Sequence, residues 1–332
     1  MKAAWIEKHG GPEVIQVGQR DEPKPGPGEV IVRVMACSLN HLDLWVRMGG
    51  KRPFPLPLIP GSDFSGIRVD NGQDVVVFPG VWTNPIPQPG ATVALADDFT
   101  IIGAGRNGGM AEFVAVPEKN CIPKPPTMAF EVAAAVPVVF TTAWHMLLSR
   151  AQLQVGEWVL INGAGSGVSH AGIQIAHLAG AVVIATTSTP EKVAKAVSLG
   201  CDYVINYKEQ DVADEVKQLT GGRGVDVILD HVGSATWPAN VASLARGGRL
   251  VVCGTTGGAN VQLDLAPLYY KAQSVLGSTL GTPDEMATCL RLVAENKLQV
   301  VIDQAFPLDQ LADAHRYLEQ QEQFGKVVIQ IK

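Results

Sequence analysis

The stretch WVLINGAGSGVSHAGIQIAHLAGAVVIATTS occupies residues 158–188. A β-rich run over 157–161 enters a glycine-rich turn, a helix is expected over 169–178, and a second strand over 181–185. This order of strand, turn, helix and strand is the setting that a dinucleotide-binding turn needs. Gly163, Gly165 and Gly167 let the backbone turn tightly, while Ala164, Ser166 and Ser169 are small enough for a pyrophosphate to approach. The helix N-terminus would offer N–H groups and positive partial charge to the phosphates. Counting from Gly163, the sixth position is Val168, so the register departs from the plain G-x-G-x-x-G pattern, and Ser169 holds the place of the last small residue. A glycine turn can also serve packing alone, but the flanking elements favour a cofactor.

The strand that follows indicates which cofactor. An NAD site usually carries Asp or Glu about 20 residues beyond the turn. Here the strand end carries the hydroxyls of Thr187 and Ser188, with Lys192 next and Tyr207 further on. A ribose 2′-phosphate needs cationic and hydroxyl donors and is repelled by a carboxylate. NADP(H) is therefore expected. Glu191 opposes this reading, although at a helix start it also favours the dipole.

Outward from this stretch the texture changes at about residue 125. Before it the chain is rich in glycine and proline, with short strands expected over 75–78 and 112–116 and, in 21–34, a turn-rich entry followed by an alternating strand. After it comes the helical composition of 129–150, interrupted by Pro137, and then alternating strands and helices, with later strands over 225–229 and 249–253. Such alternation predicts a parallel sheet covered by helices. Helices over 283–296 and 308–320 and a strand over 326–331 close the chain. The expected fold class is α/β, with domains over 1–128 and 129–279 and a C-terminal segment, 280–332, returning to the first.

Composition narrows the function classes. The chain has 332 residues, 46% hydrophobic and 17% charged, which is globular composition. A net charge of −6 gives no global attraction to nucleic acid or anionic membrane. No apolar run reaches the length of a membrane span. The five cysteines (Cys37, Cys121, Cys201, Cys253, Cys289) form no CxxC pair, which argues against a zinc knuckle or a disulfide scaffold. With no signal-like N-terminus, a reducing cytoplasm is expected.

Three segments, Pro27-Gly-Glu-Val-Ile-Val-Arg-Val34, Ser38-Leu-Asn-His-Leu-Asp-Leu-Trp-Val-Arg-Met-Gly49 and Pro60-Gly-Ser-Asp-Phe-Ser-Gly66, resemble the medium-chain dehydrogenase/reductase superfamily. The turn at 163–169 and Gly325-Lys-Val-Val-Ile329 extend the resemblance across nearly the whole chain. It implies a GroES-like β-rich catalytic domain, a Rossmann cofactor domain and a catalytic cleft between them. Zinc enzymes of that family carry a Cys ligand shortly before an Asp, then a His-Glu pair in a glycine-flanked turn. Asn40 stands at the Cys position and Ser62 at the His position, with Asp43 and Asp63 at the acidic ones. The stretch 78–109, where a structural zinc would be bound, has no cysteine. Asparagine and serine are poor zinc ligands, so no metal is expected, Cys37 and His41 being the only nearby residues that leave an irregular site open. Asn40, Asp43, Arg47 and Gly49, with Lys192 and Tyr207, are similar to the zinc-less quinone oxidoreductase branch. The resemblance therefore implies reduction of quinones or activated enones by NADPH.

Without zinc, an electron-poor acceptor is the easier substrate, because it needs only hydrogen bonds on its developing oxyanion. Asn40 can donate such a bond, His41 can orient Asn40 or relay a proton, and Trp45 can form a flat wall against a planar acceptor. Asp43 is expected to pair with Arg47 four residues on, and Asp63 to support the cleft floor or the nicotinamide end. Around the cofactor are expected Thr142, where the second domain begins, then His231 and Val232 after one strand, and Cys253, Gly254 and Thr255 after another. Lys326 is expected to reach the phosphates. His231 has a plain alternative as a satisfied loop histidine.

Competing readings are a zinc-independent alcohol or aldehyde dehydrogenase, an enoyl-thioester reductase with a basic entrance at Lys51, Arg52 and Arg106, and a non-catalytic NADPH-binding structural or regulatory protein. The apolar stretch 274–280 is expected to be an edge strand that pairs two copies into a homodimer.

Overall fold

Apolar β-branched runs become buried parallel strands when helices cover both faces of the sheet. In the computed structural model, which describes residues 1–50, 54–86 and 92–331, the runs of the middle third do this. The chain divides into two compact units, one of residues 1–141, 280–296 and 300–332, the other of 142–279 and 297–299.

The second unit holds a six-stranded, wholly parallel sheet. Across it lie Tyr203–Asn206, Val182–Thr187, Trp158–Ile161, Val225–Asp230, Leu244–Val252 and Ser274–Gly277. In chain order this is 3-2-1-4-5-6, the doubly wound Rossmann arrangement. Its strand order reverses beside Trp158–Ile161, the strand that feeds the glycine turn. Leu160, Ile184, Ile205, Val225, Ile228 and Leu250 share one buried cluster, each such side chain contributing roughly 1.5–3 kcal/mol. Arg249 clasps Glu157 through two hydrogen bonds of 2.8 and 2.7 Å, tying the sheet's fifth strand to the start of its first.

The first unit is built on a seven-stranded, mostly antiparallel sheet. Its central strand Glu29–Ser38 pairs with Asp63–Arg68, with Phe113–Pro117 and with the C-terminal Lys326–Gln330. The last strand thus returns to the β-rich unit, beside Ile302–Pro307. Gly66 sits where the first two strands pass closely: a Cβ there would lie 2.1 Å from the Arg33 carbonyl oxygen. Val32, Val34, Phe64, Val75, Val77, Val327 and Ile329 form the core.

Some elements differ in extent from the sequence expectation. Pro137 does not interrupt a helix; it begins one, Pro137–Trp144, after the short Phe130–Ala134, because its fixed φ and missing N–H suit a first turn. A π-helical segment, His145–Arg150, follows. The strand before Cys253 starts earlier, at Leu244, and stops at Val252. The edge strand ends at Gly277, and the first three residues of the stretch 308–320 are a 3₁₀ turn.

Candidate active site

In the Rossmann unit, the residues expected around a cofactor gather at the carboxyl ends of the parallel strands. Gly163 takes φ +65°, a left-handed conformation that favours glycine. Its N–H donates to Thr186 Oγ1 at 2.9 Å, and the Ala164 N–H donates to the Thr186 carbonyl at 2.8 Å. Thr186 therefore shapes the turn from the neighbouring strand. Gly165 and Ser166 complete the turn, and Gly167 and Val168 open helix Gly167–Leu178, whose start has no side-chain cap and no acidic residue in its first turn. The first N–H groups of any helix lack internal partners.

His231 follows strand Val225–Asp230 and reaches this turn. Its Nε2 lies 3.0 Å from Ser169 Oγ and 3.1 Å from the Asn162 carbonyl, while Ser169 Oγ donates to that same carbonyl at 2.6 Å. A proton on Nε2 satisfies both contacts, and burial holds the ring's pKa below its ordinary value against the pull of Asp230. His231 is thus hydrogen-bonded to the turn through Nε2. Asp230 accepts from Asn162 Nδ2 (3.2 Å), the Val232 and Gly233 N–H groups (3.2 and 2.9 Å) and Thr236 Oγ1 (2.9 Å). Sequence reasoning missed Thr186, Asn162 and Asp230, since only the pairing of strands brings them to the glycines.

Cys253, Gly254 and Thr255 follow the next strand. Burial, with Asp230 nearby, pushes the Cys253 thiol up to about 12, so it stays protonated. A Cβ on Gly254 would lie 2.9 Å from the His231 carbonyl oxygen. At the other side of the sheet, Thr187 is paired with Asn206, which puts Thr187, Ser188 and Tyr207 at one strand end. The Tyr207 N–H donates to the Thr187 carbonyl at 3.0 Å, and the residue is 47% exposed. Thr187 Oγ1 is buried without a hydrogen-bond partner. Lys192 lies in the first turn of helix Pro190–Ser198, and Glu191 beside it is turned to its own N–H and the Thr189 hydroxyl. Thr142 is buried within helix Pro137–Trp144.

The β-rich unit holds a separate polar cluster. Asn40 caps helix His41–Met48, its N–H donating to Asp43 Oδ2 at 2.8 Å as one half of a capping box. Asp43 Oδ1 accepts the Gly61 N–H at 3.1 Å. Burial pushes the Asp43 carboxyl up to about 7, the Asp63 charge adding to the rise while the Asn40 and Gly61 N–H groups and Lys326 oppose it. Asp43 does not pair with Arg47, contrary to the i,i+4 expectation. Arg47 donates to the Gly10 carbonyl at 3.2 Å and to Glu319, because the N-terminal carboxylate turns back to its own helix start.

Lys326, expected at the phosphates, lies in this cluster instead. Its ammonium is buried in this unit and donates to the Leu39 carbonyl (2.8 Å), Asn40 Oδ1 (2.7 Å) and Asp63 Oδ2 (3.0 Å). An ammonium has three donors, so all are committed and none remains for a phosphate. Asp63 Oδ2 also accepts Asn40 Nδ2 at 2.9 Å, and Asp63 Oδ1 accepts the Val138 N–H at 2.8 Å, at the start of helix Pro137–Trp144. His41, the first residue of its helix, is half-buried, and Trp45 on the same helix is 36% exposed rather than core. Ser62 is buried, its Oγ without a hydrogen-bond partner. Burial, with the Asp43 and Asp63 charges nearby, raises the Cys37 thiol well above its ordinary pKa. Among the described residues no three His, Cys, Asp or Glu side chains group as a metal site would require, and no helix is long and apolar enough to cross a membrane. Of the basic residues that could form a thioester entrance, Arg106 is held by Glu29 and the Ala115 carbonyl; Lys51 and Arg52 lie outside the described residues.

A doubly wound parallel sheet with a glycine turn at its switch point, joined in one chain to a GroES-like β unit, defines a class of oxidoreductase. Residues 26–126 match the alcohol dehydrogenase GroES-like domain family and residues 167–295 the zinc-binding dehydrogenase family. A zinc-type alcohol dehydrogenase-like protein of Schizosaccharomyces pombe is 31% identical, aligned over 96% of this chain and 94% of that protein. The quinone oxidoreductase of Lama guanicoe is 30% identical, over 100% of this chain and 98% of its own length. A crystal structure of an NAD-dependent alcohol dehydrogenase superposes with a TM-score of 0.94 at 41% identity, covering 100% of both chains. The chain belongs to the medium-chain dehydrogenase/reductase superfamily, in its quinone oxidoreductase-like branch, and is an oxidoreductase enzyme.

Proposed function

We propose that the protein is a cytoplasmic, NADPH-dependent reductase that delivers hydride to a quinone or related activated enone without zinc. The observation that carries the reading is the environment of Asn40, which stands where zinc relatives have a thiolate. A buried ammonium lies 2.7 Å from its Oδ1 and 3.0 Å from Asp63, the nearest acid. Such a charge repels a dication, and it occupies the oxygens that would ligate one. Ser62 offers only a hydroxyl and Cys37 a firmly protonated thiol. These residues do not fit zinc.

The residues of the Rossmann unit do fit a dinucleotide. The left-handed Gly163, the uncapped start of helix Gly167–Leu178 and the close approach of backbone at Gly254 suit a pyrophosphate and its ribose. The unpartnered Thr187 hydroxyl, Ser188, Lys192 and Tyr207 supply donors and positive charge at the strand end where NAD sites carry an acid. When bound, a reduced nicotinamide supplies two electrons and a proton as hydride. Asn40 Nδ2 would hold the negative charge that develops on the acceptor oxygen, His41 would pass it a proton from water, and Trp45 would flank a planar ring.

One observation favours a second reading: the 41%-identical structural relative is an NAD-dependent alcohol dehydrogenase. Initial rates with a para-quinone, using NADPH or NADH and with or without EDTA, decide between them. NADPH preference and indifference to EDTA are expected, with Lys192→Ala raising the KM for NADPH and leaving that for NADH unchanged. A preference for NADH, or oxidation of alcohols with NAD and none of NADPH with quinones, would establish the second reading. Loss of turnover in EDTA would restore the metal.

We also propose a homodimer through the sheet edge. Ser274–Gly277 ends the parallel sheet, Val275 is 41% exposed, and Tyr269 and Tyr270 of the preceding helix are exposed. Edge strands of this kind invite pairing. Sedimentation should give a dimer at micromolar concentration, and Val275→Lys a monomer; a monomeric wild type would remove the proposal.

A further inference from the structure

The amide of Asn40 is held by two groups of opposite chemistry. Lys326 can only donate, and it meets Oδ1 at 2.7 Å; Asp63 Oδ2, which also accepts from Lys326 and Ser38, meets Nδ2 at 2.9 Å. A flipped amide would set its NH₂ against the ammonium and its oxygen against the carboxylate. One orientation is therefore enforced, although an asparagine amide is otherwise nearly symmetric in shape. The main chain of Asn40 is fixed as well, its N–H on Asp43 and its carbonyl accepting the Asp43 N–H at 3.0 Å. The second proton of Nδ2 is the one donor of Asn40 that this network does not use. The Asn40 side chain therefore keeps one uncommitted donor, while its oxygen is engaged by Lys326.

We propose that Lys326 is a positioning residue for Asn40: its ammonium locks the amide in the orientation that leaves the second Nδ2 proton uncommitted and, by drawing electron density to Oδ1, strengthens that N–H as a donor to the acceptor oxygen. This rests on the reading of Asn40 given above. The lysine arrives from the last strand of the chain, 286 residues away in sequence, and its other two protons, on Leu39 and Asp63, fix its own place. Ser38 adds to the frame, with Oγ 2.9 Å from the Ala134 carbonyl and 3.3 Å from Asp63 Oδ2. A group held this firmly is preorganised, so little reorganisation accompanies charge development.

The test is a double-mutant cycle in kcat for para-quinone reduction, with Asn40→Ala, Lys326→Met and the double variant, each also titrated with NADPH by fluorescence. Lys326→Met leaves Asp63 buried without its cation and can cost stability, so the cycle is repeated on an Asp63→Asn background, where Lys326→Met leaves no unpaired carboxylate, and the folding of each variant is checked by its melting temperature. Asn40→Ala is expected to lower kcat about 100-fold, as the loss of an oxyanion donor does. Lys326→Met should lower it about tenfold or more, as misplacement of a donor does. The double variant should match Asn40→Ala alone, and NADPH affinity should stay within about twofold throughout. Multiplying losses in the double variant would show that Lys326 acts independently of Asn40 and would overturn the proposal. A wild-type kcat in Asn40→Ala would instead remove the donor role of Asn40, and the positioning role with it.

Discussion

Asp43 Oδ1 accepts the main-chain N–H of Gly61 at 3.1 Å, so a helix-capping carboxylate also pins a turn 18 residues further along the chain. Burial pushes that carboxyl up to about 7, against about 3.9 in an unfolded chain. The folded state therefore holds the proton more tightly. The contribution of Asp43 to stability is full below about pH 4 and is lost as pH rises through about 7. Urea midpoints measured from pH 5 to 8 should fall more steeply in the wild type than in Asp43→Asn. Parallel slopes in the two proteins would contradict this.

His315 has the opposite sign. Burial, and then the charge of Arg47, pushes it down to about 3, and neither ring nitrogen has a hydrogen-bond partner. A depressed histidine contributes stability that is present above about pH 6.5 and lost as pH falls towards 3. His315→Leu should therefore unfold at a lower pH in acid titration while staying within about 1 kcal/mol of wild type at neutral pH. An unchanged acid midpoint would show that the ring does not govern this limb.

Gly163→Ala would put a side chain at φ +65° with its Cβ 3.4 Å from His231 Nε2. The left-handed conformation alone costs about 1–2 kcal/mol. Dinucleotide affinity should fall about tenfold if that strain is relieved by moving the turn. Gly156→Ala is the control: it has φ +81° with nothing within 4 Å, so it should lower the melting temperature and leave affinity unchanged. Equal affinity loss in both variants would detach the effect from the turn.

Asp230→Ala should be the most damaging of these changes in the Rossmann unit. It strips the acceptor from the Asn162 amide, two main-chain N–H groups and the Thr236 hydroxyl. Each buried donor left unpaired costs about 1–3 kcal/mol. Chemical denaturation should show a loss of about 3 kcal/mol or more, and Asp230→Asn a smaller one, since its amide oxygen still accepts. A near-neutral Asp230→Ala would mean that water satisfies those groups.

How much of this was legible beforehand follows from the range of each interaction. The strand, glycine turn and helix of 158–178 lie within one local stretch, and the alternation beyond it specified a parallel sheet. The gathering of Thr187, Tyr207, His231 and Gly254 at one sheet end follows from that topology, because every parallel strand delivers its following residues to the same edge. The roles of single side chains were harder. Asp43 and Arg47 have the spacing of a helical ion pair, yet the first caps its own helix start and the second turns to Gly10 and Glu319. Spacing permits a pair; competition from nearby main-chain donors decides whether it forms.

By itself the sequence determined the two folds in this chain, the glycine turn, and the presence of Asn40 and Ser62 rather than Cys and His at those positions, for these are matters of residue type and local order. Only the tertiary structure decided where Lys326 goes. The return of the final strand to Glu29–Ser38 carries its ammonium to Asn40 and Asp63, and a buried charge takes the partners that desolvation forces on it, which no local pattern around residue 326 encodes.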